Sequence, residues 1–263
     1  LHPRVRRQRQ MCIRDRDEES GYFGYAVQGQ EGVHILRTEA GENYNKGVDG
    51  VTPLIAGICS KEQEKQLLKH LKSPEELWSP VGISTVDMSA SYYYDNGYWN
   101  GSVWCPYQYF LWKAMLDIGE GQFAFDIAHR GLNSWKQEIE FSYNTFEMIQ
   151  IETERGGWFH QFSGLSTPIS IWYNAYYKRG TLTTGYDTWI EKKEISEDAD
   201  HAEIVYSTTG THTGVLLIVM NSLYHYDVEI DDKKAEFIER EKGVIEITLN
   251  RKEGVIIIYR DEK

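Results

Sequence analysis

The chain is short of the residues that build metal, redox and disulfide sites. Its 263 residues include only three cysteines and eight histidines. No Cys-x-x-Cys spacing and no histidine cluster occurs, so neither a zinc-type ligand set nor a dithiol pair is encoded. No metal and no cofactor is expected. Cys59 and Cys105 lie in apolar, helix-like segments and read as buried thiols. Basic residues are also scarce, 28 Lys and Arg against 40 Asp and Glu, for a net charge of −12. Such a chain suits neither a phosphate backbone nor an anionic membrane surface. No apolar run approaches the roughly 20 residues that a membrane-crossing helix needs. The reading is of a soluble chain with no nucleic-acid or membrane partner.

The start of the chain lacks a signal-peptide pattern. Leu1 to Arg16 holds six Arg and one Asp, with no hydrophobic period and no small-residue cleavage site. Within it, Arg-Gln-Met-Cys-Ile-Arg-Asp-Arg at residues 9–16 resembles a reading-frame translation of the transposon-end adapter used in shotgun library preparation. Residues 1–16 are therefore set aside as a non-native tail, the alternative being a genuine basic arm. Without them 22 basic and 39 acidic residues remain, and the net charge falls from −12 to −17.

What the sequence has in excess is aromatic residues in two places. Tyr92 to Trp112 contains ten in twenty-one residues, more than a helix needs to pack. Tyr143 to Gly164 carries five aromatics with three Glu, one Arg and one His, and turns on Gly156-Gly157. A loop of that composition between helix-like segments is typical of a binding or catalytic loop on a rigid scaffold. Glu147 stands out because it follows an aromatic at the end of a short extended run, whereas Glu152 and Glu154 flank the turn. The competing reading makes all three solvated surface charges, as Glu usually is.

Periodicity orders the rest. Gly21 to Leu36 reads as extended, and Val51 to Cys59 as a compact apolar segment with Pro53 near its start. Ser60-Lys-Glu-Gln63 is a capping-box pattern ahead of Leu67, Leu68 and Leu71 on one helix face. Ser73-Pro74 repeats a helix-start signal. Asn96-Gly97 and Asn100-Gly101 mark turns. A helix then starts at Ser102 or Cys105 and runs to about Ile118, with Gly119 as its stop. Phe123, Ile127, Ala128, Leu132, Trp135 and Ile139 recur at helical spacing after a short link, which predicts an antiparallel αα-hairpin. Thr167-Pro168 opens a further helix, Ile169 to Arg179, apolar round most of its circumference and stopped at Gly180. From Thr181 the pattern changes to strands, at 202–206, 214–220, 226–230, 243–249 and 255–259, which predicts an antiparallel sandwich.

Two motifs carry a family resemblance. Tyr98-Trp-Asn-Gly-Ser-Val-Trp104 is similar to the Tyr-Trp-Arg-Gly-Pro-Val-Trp signature of the C-terminal catalytic domain of glycoside hydrolase family 63 and related trehalase-like enzymes. Phe146-Glu-Met-Ile-Gln-Ile-Glu-Thr-Glu-Arg-Gly156 resembles the family's Tyr-Glu-x-Tyr-x-Pro-Glu-Thr-Gly segment. Leu54-Ile-Ala-Gly57, Leu68-Lys-His-Leu71 and Trp78-Ser-Pro-Val-Gly-Ile83 resemble the part preceding the signature. The resemblance covers about Asp17 to Gly180. It implies a mainly α chain with a β domain: residues 17–180 as the later hairpins of an (α/α)6 barrel, truncated at its N-terminus, and residues 181–263 as a β-sandwich.

The resemblance also implies an inverting α-glycosidase acting on oligosaccharides. Glu147 falls on the family's general base, and Tyr98, Trp99, Trp104, Trp158 and His160 fall in stretches that line the sugar pocket. Asn100 stands where the family has Arg, Ser102 where it has Pro, and Gln150 or Ile151 where it has the Tyr and Pro after the base. The family's general acid, an Asp in an upstream segment, has no counterpart here, which implies a fragment that is inactive alone. Asp87, Asp95 and Asp117 read as caps or turn residues. Asn100, His160 and Gln161 are candidate polar contacts to sugar. Trp99 and Trp104 alternatively read as core packing, and His160 as a structural histidine. Two other functions stay open: a non-catalytic carbohydrate-binding protein, and a sugar isomerase or epimerase, for which His129 and His160 are the nearest candidates.

Overall fold

The structure, a computed structural model, describes residues 15–261. The tail set aside above lies outside the described residues up to residue 14, but Arg16 belongs to the fold. Arg16–Asp17 form β1, antiparallel to β2, Tyr22–Phe23. The Arg16 guanidinium bonds Gln66 and sits over the Phe23 ring, and Asp17 pairs with Arg37 at 2.6 Å. Among the described residues no helix is long and apolar enough to cross a membrane. The chain divides into two compact units, Leu1–Gln108 with Asn133–Ser166, and Tyr109–Leu132 with Thr167–Lys263.

In the first unit the extended stretch is a hairpin, β3 (Ala26–Gly29) with β4 (Gly32–Ile35). Helix α1, Thr52–Ile55, takes Pro53 in its first turn, where a missing N–H costs nothing. Cys59 follows that helix rather than lying in it and is half-buried, which corrects its reading as a buried thiol. Helix α2, Lys61–Leu71, begins with the expected reciprocal cap: Gln63 N–H donates to Ser60 Oγ at 3.3 Å, and Ser60 N–H to Gln63 Oε1 at 2.8 Å. Leu67 and Leu71 bury its inner face. Ser73-Pro74 does not start a helix. The Ser73 carbonyl closes a single turn, and the chain passes through buried Leu77 into the hairpin of β5 (Trp78–Ser79) and β6 (Gly82–Ile83).

Helix α3 runs Cys105–Asp117. Its start at Cys105 follows from strand pairing, because β7 (Ser102–Val103) is held in a sheet. Gly119 adopts φ +83°, the left-handed stop that L-residues disfavour. Helix α4, Gly121–Ser142, follows a three-residue link and supplies residues to both units. The loop after it holds β8 (Met148–Gln150) and β9 (Gly156–Gly157), which join β7 in the order β7-β8-β9. Val81, Val103, Phe146, Ile149 and Ile151 form the small core beneath that sheet.

In the second unit helix α5, Thr167–Tyr177, buries Ile169, Trp172, Ala175 and Tyr176. Tyr173 and Tyr177 are exposed on its other side, so the expected all-round burial is corrected to one face. Trp112 Nε1 of α3 donates to Tyr176 Oη at 3.0 Å, and a Cβ on Gly131 of α4 would lie 2.4 Å from the Trp172 ring, so that ring packs directly on the glycine. Two antiparallel sheets follow. One contains β10 (Leu182–Thr183), β13 (Gly214–Val219), β17 (Val244–Leu249) and β16 (Ile238–Glu241). The other contains β11 (Thr188–Ile195), β12 (His201–Thr208), β18 (Glu253–Arg260), β14 (Tyr226–Ile230) and β15 (Lys233–Lys234). Ile204, Leu216, Ile218, Val228, Ile245, Ile247, Ile256 and Ile258 from the two sheets make one core, which is sandwich packing. Strand β11 escaped the sequence reading because its Glu-Lys-Lys-Glu run hides the alternation. It is an edge strand, where exposed charge blunts unwanted pairing.

Candidate active site

The first-unit sheet brings the two aromatic-rich stretches together. Ser102 lies opposite Gln150 and Val103 opposite Ile149, so the Tyr98–Trp104 segment runs beside Glu147. Backbone fit demands glycine in the turn before β7. A Cβ on Gly101 would sit 1.8 Å from the Tyr94 carbonyl oxygen, and one on Gly97 would sit 2.3 Å from Asn100 Oδ1. Tyr94 N–H closes the turn on the Asn100 carbonyl at 2.9 Å, and Ser102 Oγ donates to the Gly97 carbonyl.

Glu147 is almost buried, at 7% exposure, between the buried side chains of Phe146 and Met148. Its Oε1 accepts a hydrogen bond from Tyr98 Oη. Its Oε2 is also buried and takes no hydrogen bond from the protein. Buried carboxylate oxygens are normally satisfied, so an orphan of this kind marks a place where a water or a ligand hydroxyl belongs. The Tyr98 phenol is correspondingly held above its ordinary pKa, first by the bond to Glu147 and then by burial.

Around this pair the rings form a platform. Trp99 and Trp104 stack with centroids 3.8 Å apart and planes 10° apart. Tyr98 meets Trp104 edge-on at 4.9 Å and Trp158 at 4.8 Å. Trp104 is the buried floor, fixed by a 2.8 Å bond from its Nε1 to the Tyr98 carbonyl, while Trp99 and Trp158 are about half exposed. Trp104 thus packs in the interior, and Trp99 leaves one face exposed.

The loop that carries Glu147 is tied down by a residue the sequence reading passed over. Glu138, on α4, accepts from Arg155 Nε at 2.7 Å, Arg155 Nη2 at 3.2 Å and Gly156 N–H at 3.0 Å. Burial pushes this carboxyl upward, but the Arg155, Gly156 and Ser142 hydrogen bonds outweigh it and hold the group below the usual carboxylate range. Arg155 also lies over the Phe141 ring at 3.8 Å. Gly156 and Gly157 are needed for contact, since a Cβ on either would press on Phe146 or Met148. The available signal for Glu138 was its position three residues after Trp135 on the same helix face.

The other candidates fall elsewhere. Asn100 spends its amide on the Tyr92 carbonyl at 3.0 Å, so it braces the loop. His160 and Gln161 are exposed, and Gln161 has φ +63°. Glu152 and Glu154 are exposed. Asp87 caps Ser89 with two 2.7 Å bonds and pairs with Lys46, and Asp117 accepts from the Tyr186 and Asp187 N–H groups, whereas Asp95 is exposed. His129 stacks on Phe125 at 5.4 Å. Among the described residues no group of three or more His, Cys, Asp or Glu is placed to hold a metal ion.

A family model described as the mannosylglycerate hydrolase MGH1-like glycoside hydrolase domain matches residues 15–147, half of the 263-residue chain. No curated protein matches it. Among solved structures the chain is similar to the GH63 mannosylglycerate hydrolase from Thermus thermophilus in complex with glucose, at 19% identity and a TM-score of 0.49 over 65% of this chain and 38% of that one. It is also similar to the neutral trehalase of Saccharomyces cerevisiae, at 17% identity and a TM-score of 0.47 over 64% of this chain and 29% of that one. The chain spans well under half the length of either.

Proposed function

Because the chain belongs to the MGH1-like glycoside hydrolase domain family, we propose that it carries the general-base side of an inverting α-glycosidase site acting on oligosaccharides, with Glu147 as the base. The observation that carries this is the buried, half-satisfied carboxylate beside an aromatic platform. In inverting hydrolysis a carboxylic acid protonates the leaving oxygen. A carboxylate about 6.5–9.5 Å away deprotonates a water that attacks the anomeric carbon from the opposite face. Glu147 Oε2 is free to accept that proton while Tyr98 holds Oε1 and so fixes the plane of the group. Trp99 and Trp158 would cover apolar sugar faces, and the buried surround would exclude bulk water.

The acid belongs to a segment outside this chain, so residues 17–180 are read as later hairpins of an (α/α)6 barrel and residues 181–263 as its sandwich appendage. The chain alone would bind sugar without cleaving it. The test is hydrolysis of α-linked glucobioses and mannobioses by a polypeptide extended upstream from the source gene, with product anomers followed by NMR. An inverted product, lost in Glu147→Gln, supports the reading. Sugar binding without turnover in the extended protein would favour a carbohydrate-binding role, to which the exposed faces of Trp99 and Trp158 are equally suited.

A further inference from the structure

One end of the sandwich holds a cavity of about 510 Å³, within the range of small-ligand sites. Its walls come from both sheets: Tyr206 on β12, Lys233 and Lys234 on β15, Thr248 near the end of β17, and Asn250 and Arg251 just beyond it. Tyr206 is the unusual member. The residue is 1% exposed, and its Oη is buried without a hydrogen-bond partner. Tyr226, in the same core, spends its hydroxyl on the Ala199 and Asn221 carbonyls at 3.0 and 2.8 Å. A phenol left unpaired where phenylalanine would fill the core equally well points to an acceptor supplied from outside. A Cβ on Gly254 would stand 3.0 Å from Tyr206 Cε1 and 3.1 Å from its Oη, so the ring packs directly on the β18 backbone, which holds the hydroxyl in place.

The groups beside it are mainly donors. Asp231 and Asp232 take left-handed backbone, φ +49° and +60°, in the two-residue turn between β14 and β15. Asp231 Oδ1 accepts from the Val255 N–H at 3.0 Å, which pins that turn to β18, and Oδ2 accepts from Arg251 Nη1 at 2.7 Å. The guanidinium is thereby positioned with most of its five N–H donors left over from the ion pair. Lys234 donates to Asp227 at 2.5 Å, whereas Lys233 is exposed and in no ion pair among the described residues. Three cations round one cavity reverse the character of a chain whose net charge is −12. Two of them are compensated, so one positive charge remains for a ligand. That suits a monoanion. Glu236, exposed in the same lining, can accept from a hydroxyl but would repel a second negative charge. Burial, and then the charge of Asp231, raise the Tyr206 phenol against the opposing effect of Arg251, so it remains a donor at neutral pH.

We propose that this cavity binds a small hydroxylated carboxylic acid of the aldonic acid type, its carboxylate accepting from Tyr206 Oη, Lys233 and Arg251 and its hydroxyls meeting Thr248, Asn250 and Glu236. The site belongs to the second unit alone, so its failure would leave the Glu147 reading untouched.

The test titrates the chain with gluconate, with sorbitol, which keeps the hydroxyls and lacks the carboxylate, and with inorganic phosphate. Calorimetry gives affinity, and NMR of carbon-labelled tyrosine rings gives location, the Tyr206 signal being assigned by Tyr206→Phe. Gluconate should bind and shift that signal, with sorbitol and phosphate each at least about tenfold weaker. Lys233→Gln should weaken gluconate at least about fivefold and leave sorbitol unchanged. Tyr206→Phe should weaken gluconate to a similar degree without lowering the urea midpoint, because the hydroxyl it removes has no partner in the free chain. A purely structural tyrosine would lose stability and not affinity. Lys233 is exposed, so its variant reads the site even if Tyr206→Phe disturbs the core. No gluconate binding, sorbitol or phosphate as tight as gluconate, an unmoved Tyr206 signal, or an affinity unchanged by Lys233→Gln overturns the proposal.

Discussion

Removing the Glu138 carboxylate should loosen the loop that bears Glu147. The side chain is 5% exposed and accepts three hydrogen bonds, from both nitrogens of a guanidinium fork and from the Gly156 N–H. Hydrogen bonds to a charged group contribute about 1.5–3 kcal/mol each, and loss of an acceptor leaves buried donors unpaired. The cation of the pair is 40% exposed and can turn to water, so its share is discounted heavily. On that basis Glu138→Ala should cost about 2 kcal/mol, and Glu138→Gln, which keeps one acceptor, about half as much. Urea unfolding followed by tryptophan fluorescence measures this, read as a shift in midpoint at constant slope.

The pH dependence has a defined sign. The folded-state pKa of Glu138 is depressed, so its stabilisation is present above the unfolded carboxylate value and is lost as pH falls towards the folded one. The gap between wild type and Glu138→Ala should therefore close on acidification below about pH 4. A cost under about 0.5 kcal/mol, within the range of ordinary surface changes, or a gap that persists at low pH, would refute the anchoring argument.

Three further outcomes follow from the same geometry. Glu147→Gln should lower the pH at which Tyr98 ionises, because the carboxylate that raises it has gone; a difference titration of tyrosinate absorbance against Tyr98→Phe measures this, and an unchanged curve would deny the bond. Gly101→Ala should reduce both stability and sugar-induced tryptophan fluorescence change, since its Cβ would stand 1.8 Å from the Tyr94 carbonyl and force the turn open. Cys105, buried and pushed up to about 12 by that burial, should resist iodoacetamide in the native chain while half-buried Cys59 is modified faster, as peptide mass spectrometry would report.

The helices were legible because their ends are chemically marked. Ser60 and Gln63 cap α2 reciprocally, Gly119 sits in the left-handed region after α3, and Pro106 occupies the first turn of α3, where proline is tolerated. The sandwich strands were legible where apolar residues dominate, as in Gly214–Val219, and illegible in β11, whose charges face water. Ser73-Pro74 misled because a start signal does not fix how many turns the helix completes. Leu77 is drawn into the core and Trp78 pairs with Ile83, so one turn forms and stops.

The site was legible as composition but not as architecture. Strands β7, β8 and β9 are two or three residues long, too short to show an alternating pattern, yet their pairing brings Tyr98 to Glu147. Glu138 looked like any helix-surface glutamate. The Lys233, Asn250 and Arg251 lining lies far from Tyr206 in sequence and only tertiary contact joins them.

The role proposed for Glu147 is that of the base in an inverting glycosidase. Its most direct test is the rate and product anomer of α-glucobiose and α-mannobiose hydrolysis by the upstream-extended protein, wild type against Glu147→Gln. The expected result is an inverted anomer and a loss of at least about a hundredfold in the variant, the scale of a removed general base. An active extended enzyme whose Glu147→Gln variant is equally fast would contradict it.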